Sequence, residues 1–457
     1  MTSDLDQAVS GKGLVAAFQQ VVCLSTGAVI GYEALARWPG PENVAPLEII
    51  SHAAKTGRLN AFDRACIRAA AQGALSGNSS PGMLLLVNCE PATPCADLSQ
   101  DTDVMAAADK FRLVFEITER GLLKNPRALL RKVAVLRSLG IAVALDDIGA
   151  HPDSVALLDV IAPDIVKLDL ALVQRHPDRL QSKTVAAIRE YHDRTGAVIC
   201  AEGIETEEHL EQALSYGATL GQGFKFGVPG ELSVHPSGFA WPAVGVSAHA
   251  DANPSLFDRA AAGREVHTVR EPILDGLLAQ MQHLAAKAEF PPIVLTAVGR
   301  QGIGERTQRK YRCIAEKSPF VAVFGHDVPD GLGHRVRTVR LDPDDPLSTE
   351  TAIVVLGPET AVALVAREHR SDNGDTGAQV FDVVFVFDRE HAAVLARSLL
   401  ERPSPTISIH VDPARRKFAS CTCGWQAKRR LLWLTALGDV TDHRSKTGHL
   451  PVDRLAG

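Results

Sequence analysis

Residues 125–147 read NPRALLRKVAVLRSLGIAVALDD, and the order of signals in them decides the fold. An amphipathic stretch runs to Gly140, and a glycine just past a helix end is a C-cap signal. A short apolar run, IAVAL, follows at once, and it stops at two adjacent carboxylates, Asp146 and Asp147. Helix, strand and polar strand end form one unit of a βαβ pattern.

The pattern repeats outward in both directions. Strand-like runs AFQQVVCL, GMLLLVNC, RLVFEIT, DIVKLDL, AVICAEG and the GQGFKFG region are separated by helical stretches such as SKTVAAIREYHDRTG. About 220 residues of this alternation, over 12–232, predict a parallel TIM-type (β/α) barrel. A doubly wound open sheet is the alternative. Residues 233–268 are rich in Pro, Gly, Ala, Ser and His and read as a linker. A second, smaller α/β pattern spans 269–402. Its strand candidates are PIVLTAV, FVAVFG, RVRTVRL, TAIVVLG and VVFVFD. Helices are expected to begin at PILDGLLAQMQHLAAKA, ERTQRKYRCIAEKS, PETAVALVAREH and REHAAVLARSLLE.

Composition narrows the function classes. The 457 residues are 46% hydrophobic and 22% charged, ordinary globular material of two or three domains. A net charge of −6 gives no global basic field for nucleic acid. No stretch is apolar enough to span a membrane, and the polar start MTSDLDQAVSGKG lacks a signal segment, so a cytoplasmic protein is expected. Six of the 8 cysteines are scattered, several of them inside apolar runs, the usage of reduced, buried thiols.

The polar residues of the first half gather at strand ends. Glu33 follows GAVIGY, Asn88 ends MLLLV, and Glu116 and Glu119 end RLVFEIT. Lys167 and Asp169 lie in DIVKLD, Glu202 and Glu205 end AVICAEGIE, and Gln222 ends the last strand. In a barrel these ends share one rim, where active sites sit. So many carboxylates in one mouth repel one another unless a cation is present. An all-oxygen donor set suits Mg²⁺ or Mn²⁺ rather than zinc, and adjacent aspartates can bridge two such ions for phosphoryl chemistry.

The motifs EAL at 33–35, NCEP at 88–91, FEITE at 115–119, ALDDIG at 144–149, DIVKLD at 164–169, AEGIET at 201–206 and QGFKFGVP at 222–229 occur in this order. Together they resemble the EAL domain, the cyclic-di-GMP phosphodiesterase family. The resemblance implies a TIM-like barrel that holds two Mg²⁺ or Mn²⁺ ions and opens cyclic di-GMP to linear pGpG. By motif, Glu33, Asn88, Glu116, Asp146, Asp147 and Glu202 look like metal ligands, and Lys167 like the group that orients the attacking water. Glu205 and Gln222 look like partners of the metal-water shell. Gln19, Leu35 and Arg37 look like substrate contacts, and Glu119 like the brace of the loop after Asp147. The resemblance also implies a homodimer. That loop departs from the family: DDIGAHPDS places His151 where glycine is usual and Pro152 where an aromatic is usual. A receptor that binds cyclic di-GMP without hydrolysing it is therefore the alternative.

Residues 269–402 resemble the DICT domain, on RKYRCIAEKSPFVAVFG, DPLSTETAIVVLGPETAVALVARE and FDVVFVFDRE, which implies regulation by an unknown sensory ligand or protein partner. The tail, 407–457, carries Cys421 and Cys423 in CTCGW and His443 and His449 in DHRSKTGH. Two thiolates and two imidazoles suit one tetrahedral Zn²⁺, which would also help so short a unit fold. Basic residues flank the tail and permit nucleic-acid contact, but without an RNP or helix-turn-helix pattern nucleic acid is not the expected partner.

Overall fold

The computed structural model of the chain describes residues 4–38, 46–77, 80–91, 93–95, 97–118, 123, 125–150, 152–232, 255–329, 332–333, 335–369, 379–402, 406–411, 417–421 and 450–451. Two compact units divide the chain, Met1–His249 and Ala250–Gly457.

In the first unit a sheet closes on itself in the order β1 (Val15–Cys23), β2 (Val29–Arg37), β3 (Leu84–Cys89), β4 (Arg112–Thr118), β5 (Ala142–Ile148), β6 (Ile165–Leu168), β7 (Val198–Ala201) and β8 (Leu220–Gly221). Helices link the strands from β2 onward, as a TIM-like barrel requires. The opening stretch shows why. Asn125 accepts a hydrogen bond from the Ala128 amide at 3.1 Å, and Pro126 takes the first helical position. Leu129, Leu130, Val133 and Leu136 bury one face of the helix Pro126–Ser138. Gly140, at φ 72°, turns the chain into β5 in a conformation that costs other residues energy.

One expectation is corrected. The sheet is not wholly parallel: β1 runs antiparallel to both β2 and β8. A parallel pair needs a crossover of about a dozen residues. The β1–β2 link is a tight turn instead, closed by the Cys23 amide donating to the Ala28 carbonyl at 2.9 Å. The GQGFKFG region is also mostly turn, with only Leu220–Gly221 in the sheet.

Side-chain parity builds the barrel interior. Leu84, Leu86, Val114, Ala142, Ala144, Ile165, Val198, Cys200 and Leu220 form one buried cluster. Adding two residues to the last of these on each strand gives Asn88, Glu116, Asp146, Lys167, Glu202 and Gln222. Alternate residues of a strand share a face. The apolar filling of the barrel therefore passes directly into a polar layer at its carboxyl end.

The second unit holds a seven-stranded mixed sheet in the order β12 (Val336–Arg340), β11 (Val321–Gly325), β10 (Ile293–Val298), β13 (Glu350–Leu356), β14 (Ala361–Glu368), β15 (Val380–Val386) and β9 (His267–Arg270). β10, β11 and β12 are parallel, and the remaining pairs are antiparallel. PETAVALVAREH, expected to start a helix, is instead strand β14. Its partner β13 lies only a tight turn away, with the Gly357 amide donating to the Thr360 carbonyl at 2.7 Å. Pairing with β13 and β15 on both edges outweighs the run's helix propensity. A helix, Leu256–Ala261, precedes residue 269, and β9 begins before it, at His267. A small sheet joins β17 (Lys417–Cys421), β16 (Thr406–Val411) and β18 (Leu450–Pro451). Among the described residues no helix is long and apolar enough to cross a membrane.

Candidate active site

At the carboxyl end of the barrel a single lysine meets four acids. Lys167 is fully buried on β6, and its Nζ lies 2.6 Å from Glu116 Oε1 and 2.6 Å from Glu202 Oε1. Asp146 Oδ1 is at 3.1 Å and Glu33 Oε2 at 3.3 Å. Glu33 is also held from two sides, by Asn88 Nδ2 at 2.9 Å and Gln222 Nε2 at 2.5 Å. Gln222 Nε2 reaches Glu202 Oε1 at 3.4 Å.

The electrostatics follow from burial. Burial alone would lower the Lys167 pKa, but Asp146, Glu116, Glu202 and Glu33 more than offset it and hold the ammonium well above its ordinary range. Burial pushes the Glu116 carboxyl well up, and the neighbouring Glu33 charge adds to this. Burial likewise raises Glu202. Glu33 moves the other way. Burial would raise it, but Lys167, Gln222 and Asn88 together bring it below the usual carboxylate value.

Asp147 stands outside the strand alternation. Adjacent strand residues point to opposite faces, so neighbouring aspartates cannot both face inward on a regular strand. Here the β5–β6 register shifts between Leu145 and Ile148, and Asp147 takes a left-handed φ of 58°. As a result one oxygen each from Asp146, Asp147 and Glu202 lie within 4.8 Å of one another. One lysine cannot balance these acids, and Glu116 Oε2 and Gln222 Oε1 are buried with no donor among the described residues. An oxygen-rich set with excess negative charge fits hard divalent cations.

Substrate candidates lie beside the cluster. Gln19 faces Glu33 in the β1–β2 register, and Ala17 and Val15 face Leu35 and Arg37. Arg37 is half-buried, and its Nη1 donates to its neighbour's carbonyl, Ala36 O, at 2.9 Å. Glu205 is not brought into the cluster: it is exposed, and its amide donates to His209 Nδ1 at 3.3 Å. Asp169 caps the helix Leu170–Gln174 through the Ala171 amide, which leaves Lys167 to the rim acids. Glu119, His151, Cys423, His443 and His449 lie outside the described residues, and Cys421 is described only as the end of β17.

A second buried lysine was not singled out by sequence reasoning. Lys132 is 2% exposed and its Nζ approaches Cys89 Sγ and Thr93 Oγ1, each at 3.1 Å, and donates to the Glu90 carbonyl. Asp63 accepts from the Glu90 amide at 3.0 Å and from the Thr93 hydroxyl. This cluster pins the chain just after Asn88. Its one sequence signal is a lysine amid the apolar face of the helix Pro126–Ser138.

The model of the EAL domain matches residues 2–229, and that of DICT, a sensory domain in diguanylate cyclases and two-component systems, matches residues 261–369. Among curated proteins, the uncharacterised y4lL of Sinorhizobium fredii is 30% identical over 50% of this chain and 28% of its own length. The cyclic di-GMP phosphodiesterase RocR of Pseudomonas aeruginosa is 26% identical over 50% of this chain and 60% of its own length. The chain thus spans less than two thirds of the length of these curated relatives. Among solved structures, the Klebsiella pneumoniae BlrP1 manganese/cy-diGMP complex has a TM-score of 0.41 at 28% identity, covering 48% of this chain and 56% of that one. Residues 2–229 are an EAL domain, and a DICT sensory domain follows at 261–369.

Proposed function

We propose that the barrel hydrolyses one phosphodiester bond of cyclic di-GMP and releases linear pGpG. The observation that carries this reading is the buried lysine ringed by Glu33, Glu116, Asp146 and Glu202, beside the oxygen triad of Asp146, Asp147 and Glu202. Relatives such as RocR carry the name of cyclic di-GMP phosphodiesterase, which supports the same substrate.

In this reading Glu33, Asn88, Glu116, Asp146, Asp147 and Glu202 hold two Mg²⁺ or Mn²⁺ ions. When bound, those ions polarise the phosphoryl oxygens and make water a competent nucleophile near neutral pH. The chain's own residues do the rest. Lys167 is held protonated by its four acids, so it fixes their orientation and cannot abstract a proton. Glu202, whose Oε1 lies 2.6 Å from Lys167 Nζ at the rim, is the candidate acceptor for the proton of the attacking water. The water oxygen bonds to phosphorus as the bond to the 3′ oxygen breaks, and the 3′ oxygen takes up a proton from solvent. Arg37, on the face that Gln19, Glu33 and Leu35 share, is suited to a phosphate oxygen by its bidentate fork. Gln222 holds Glu33 and Glu202 together.

The same reading carries a cytoplasmic homodimer, and the dimer is tested by size-exclusion chromatography with light scattering. A receptor without turnover is the second reading, favoured by the departure at His151 and Pro152. Chromatography of the products after incubation with cyclic di-GMP and either metal separates the two: pGpG supports hydrolysis, and intact nucleotide supports the receptor.

A further inference from the structure

The mixed sheet of the second unit carries a cavity of about 310 Å³ at the carboxyl end of β10. β10 is parallel to β11 on one side and antiparallel to β13 on the other. In α/β sheets, ligands bind outside the carboxyl ends of strands where the order changes. Thr296 and Thr351 line the cavity from the sheet, and Ala279 and Gln282 line it from the helix Glu271–Lys287. The helix Glu305–Ala315 adds Arg306, Lys310 and Tyr311.

A hydrogen-bond chain of one polarity runs along this lining. Lys310 Nζ donates to Gln282 Oε1 at 3.0 Å, and Gln282 Nε2 donates to the Tyr311 hydroxyl at 3.2 Å. Tyr311 donates to Thr296 Oγ1 at 2.9 Å, and Thr296 donates to the Ala352 carbonyl at 2.7 Å. Gln282, Tyr311 and Thr296 are 6%, 2% and 2% exposed, so the chain is part of the core. Each link passes its proton inward. The capacity left at the outer end is therefore donor capacity: the remaining Lys310 ammonium protons, the second Gln282 amide proton and the Arg306 guanidinium, which has no partner among the described residues. Leu278 and Ile303 supply apolar lining, and Asp275 at the exposed edge is the one acid among the lining residues.

We propose that this cavity binds a compact organic anion, a carboxylate or phosphate on a small apolar body, with its charged group at Lys310, Gln282 and Arg306. The volume suits a small metabolite. The site lies wholly within the second unit, so it stands whatever the barrel's chemistry.

The test titrates the full chain with benzoate and with phenyl phosphate, using benzamide as the uncharged counterpart, by saturation-transfer NMR. At least one anion is expected to bind saturably, with a dissociation constant of about 1 mM for so small a molecule. Its affinity should exceed that of benzamide about tenfold. The better anion identifies the headgroup. Lys310→Met and Ala279→Phe should each weaken binding about tenfold or more without lowering the melting temperature by more than a few degrees, and Lys310→Arg should retain it. Absence of saturable anion binding overturns the proposal. So does benzamide binding equally well, or full affinity in Lys310→Met or Ala279→Phe.

Discussion

Asp147 is the residue on which the metal reading turns. The adjacent pair Asp146-Asp147 is plain in the sequence, but two neighbours on one strand reach one site only because Asp147 sits at φ 58°. Aspartate and asparagine tolerate that region, and β-branched residues do not. Asp147→Asn should therefore leave the melting temperature nearly unchanged while product formation falls by about 100-fold. Asp147→Val should in addition cost about 1–2 kcal/mol in denaturant unfolding. Equal stability of the two variants would contradict the backbone argument. Lys167 carries the complementary prediction. Lys167→Met leaves Glu33, Glu116, Asp146 and Glu202 without their common cation, which should destabilise the metal-free protein by about 3 kcal/mol. Part of that loss should return when Mn²⁺ is added, read as a shift in the denaturant midpoint. That Glu33, Glu116, Asp146 and Glu202 stand at strand ends was legible in the sequence, because position relative to an apolar run is itself a sequence pattern, whereas Glu205, placed by the same pattern, is exposed and outside the cluster. The shared contact through Lys167 was not, since only closure of the barrel brings β2, β4, β5, β6 and β7 around one point.

At the level of elements, period two explains why the site could be read at all. Leu84, Leu86 and Asn88 follow one face of β3, and Val198, Cys200 and Glu202 follow one face of β7. The direction of β1 and the identity of β14 were harder to read. Both depend on tight turns that set pairing, and an alternation of alanine and valine in AVALVARE suits helix and strand alike. Gly31 shows how closely the strands that hold the site approach one another. A Cβ there would lie 2.2 Å from the Leu84 carbonyl oxygen. Gly31→Ala should therefore push β2 from β3, cost about 1–3 kcal/mol and lower hydrolysis by displacing Glu33 relative to Asn88. Unchanged thermal stability and turnover would show that the barrel absorbs the methyl group elsewhere.

For the whole molecule, the acids make stability depend on pH and metal together. The Glu116 and Glu202 carboxyls sit well above their ordinary value of 4.5, so the folded barrel binds protons more readily than the unfolded chain does. Their contribution is present below about pH 4.5 and is lost as pH rises through the folded values. Glu33, which is lowered, acts oppositely and only as pH falls below that range. Lys167, raised from 10.5, contributes evenly across pH 5–8. With a chelator present, the melting temperature should thus fall between pH 5.5 and pH 8. With Mn²⁺ the fall should shrink or reverse, because the cations replace the protons, and the metal's stabilisation should be larger at pH 8. Metal-independent melting curves at both pH values would count against the donor set.

The most direct test of the central claim is turnover itself. Purified wild-type chain and Glu33→Ala are each incubated with cyclic di-GMP and Mg²⁺ or Mn²⁺ at pH 8, and the nucleotides are separated by chromatography. Wild type should convert cyclic di-GMP to pGpG, and Glu33→Ala should lose about 100-fold or more of that rate. No pGpG from wild type under either metal, or an undiminished rate in Glu33→Ala, would contradict it.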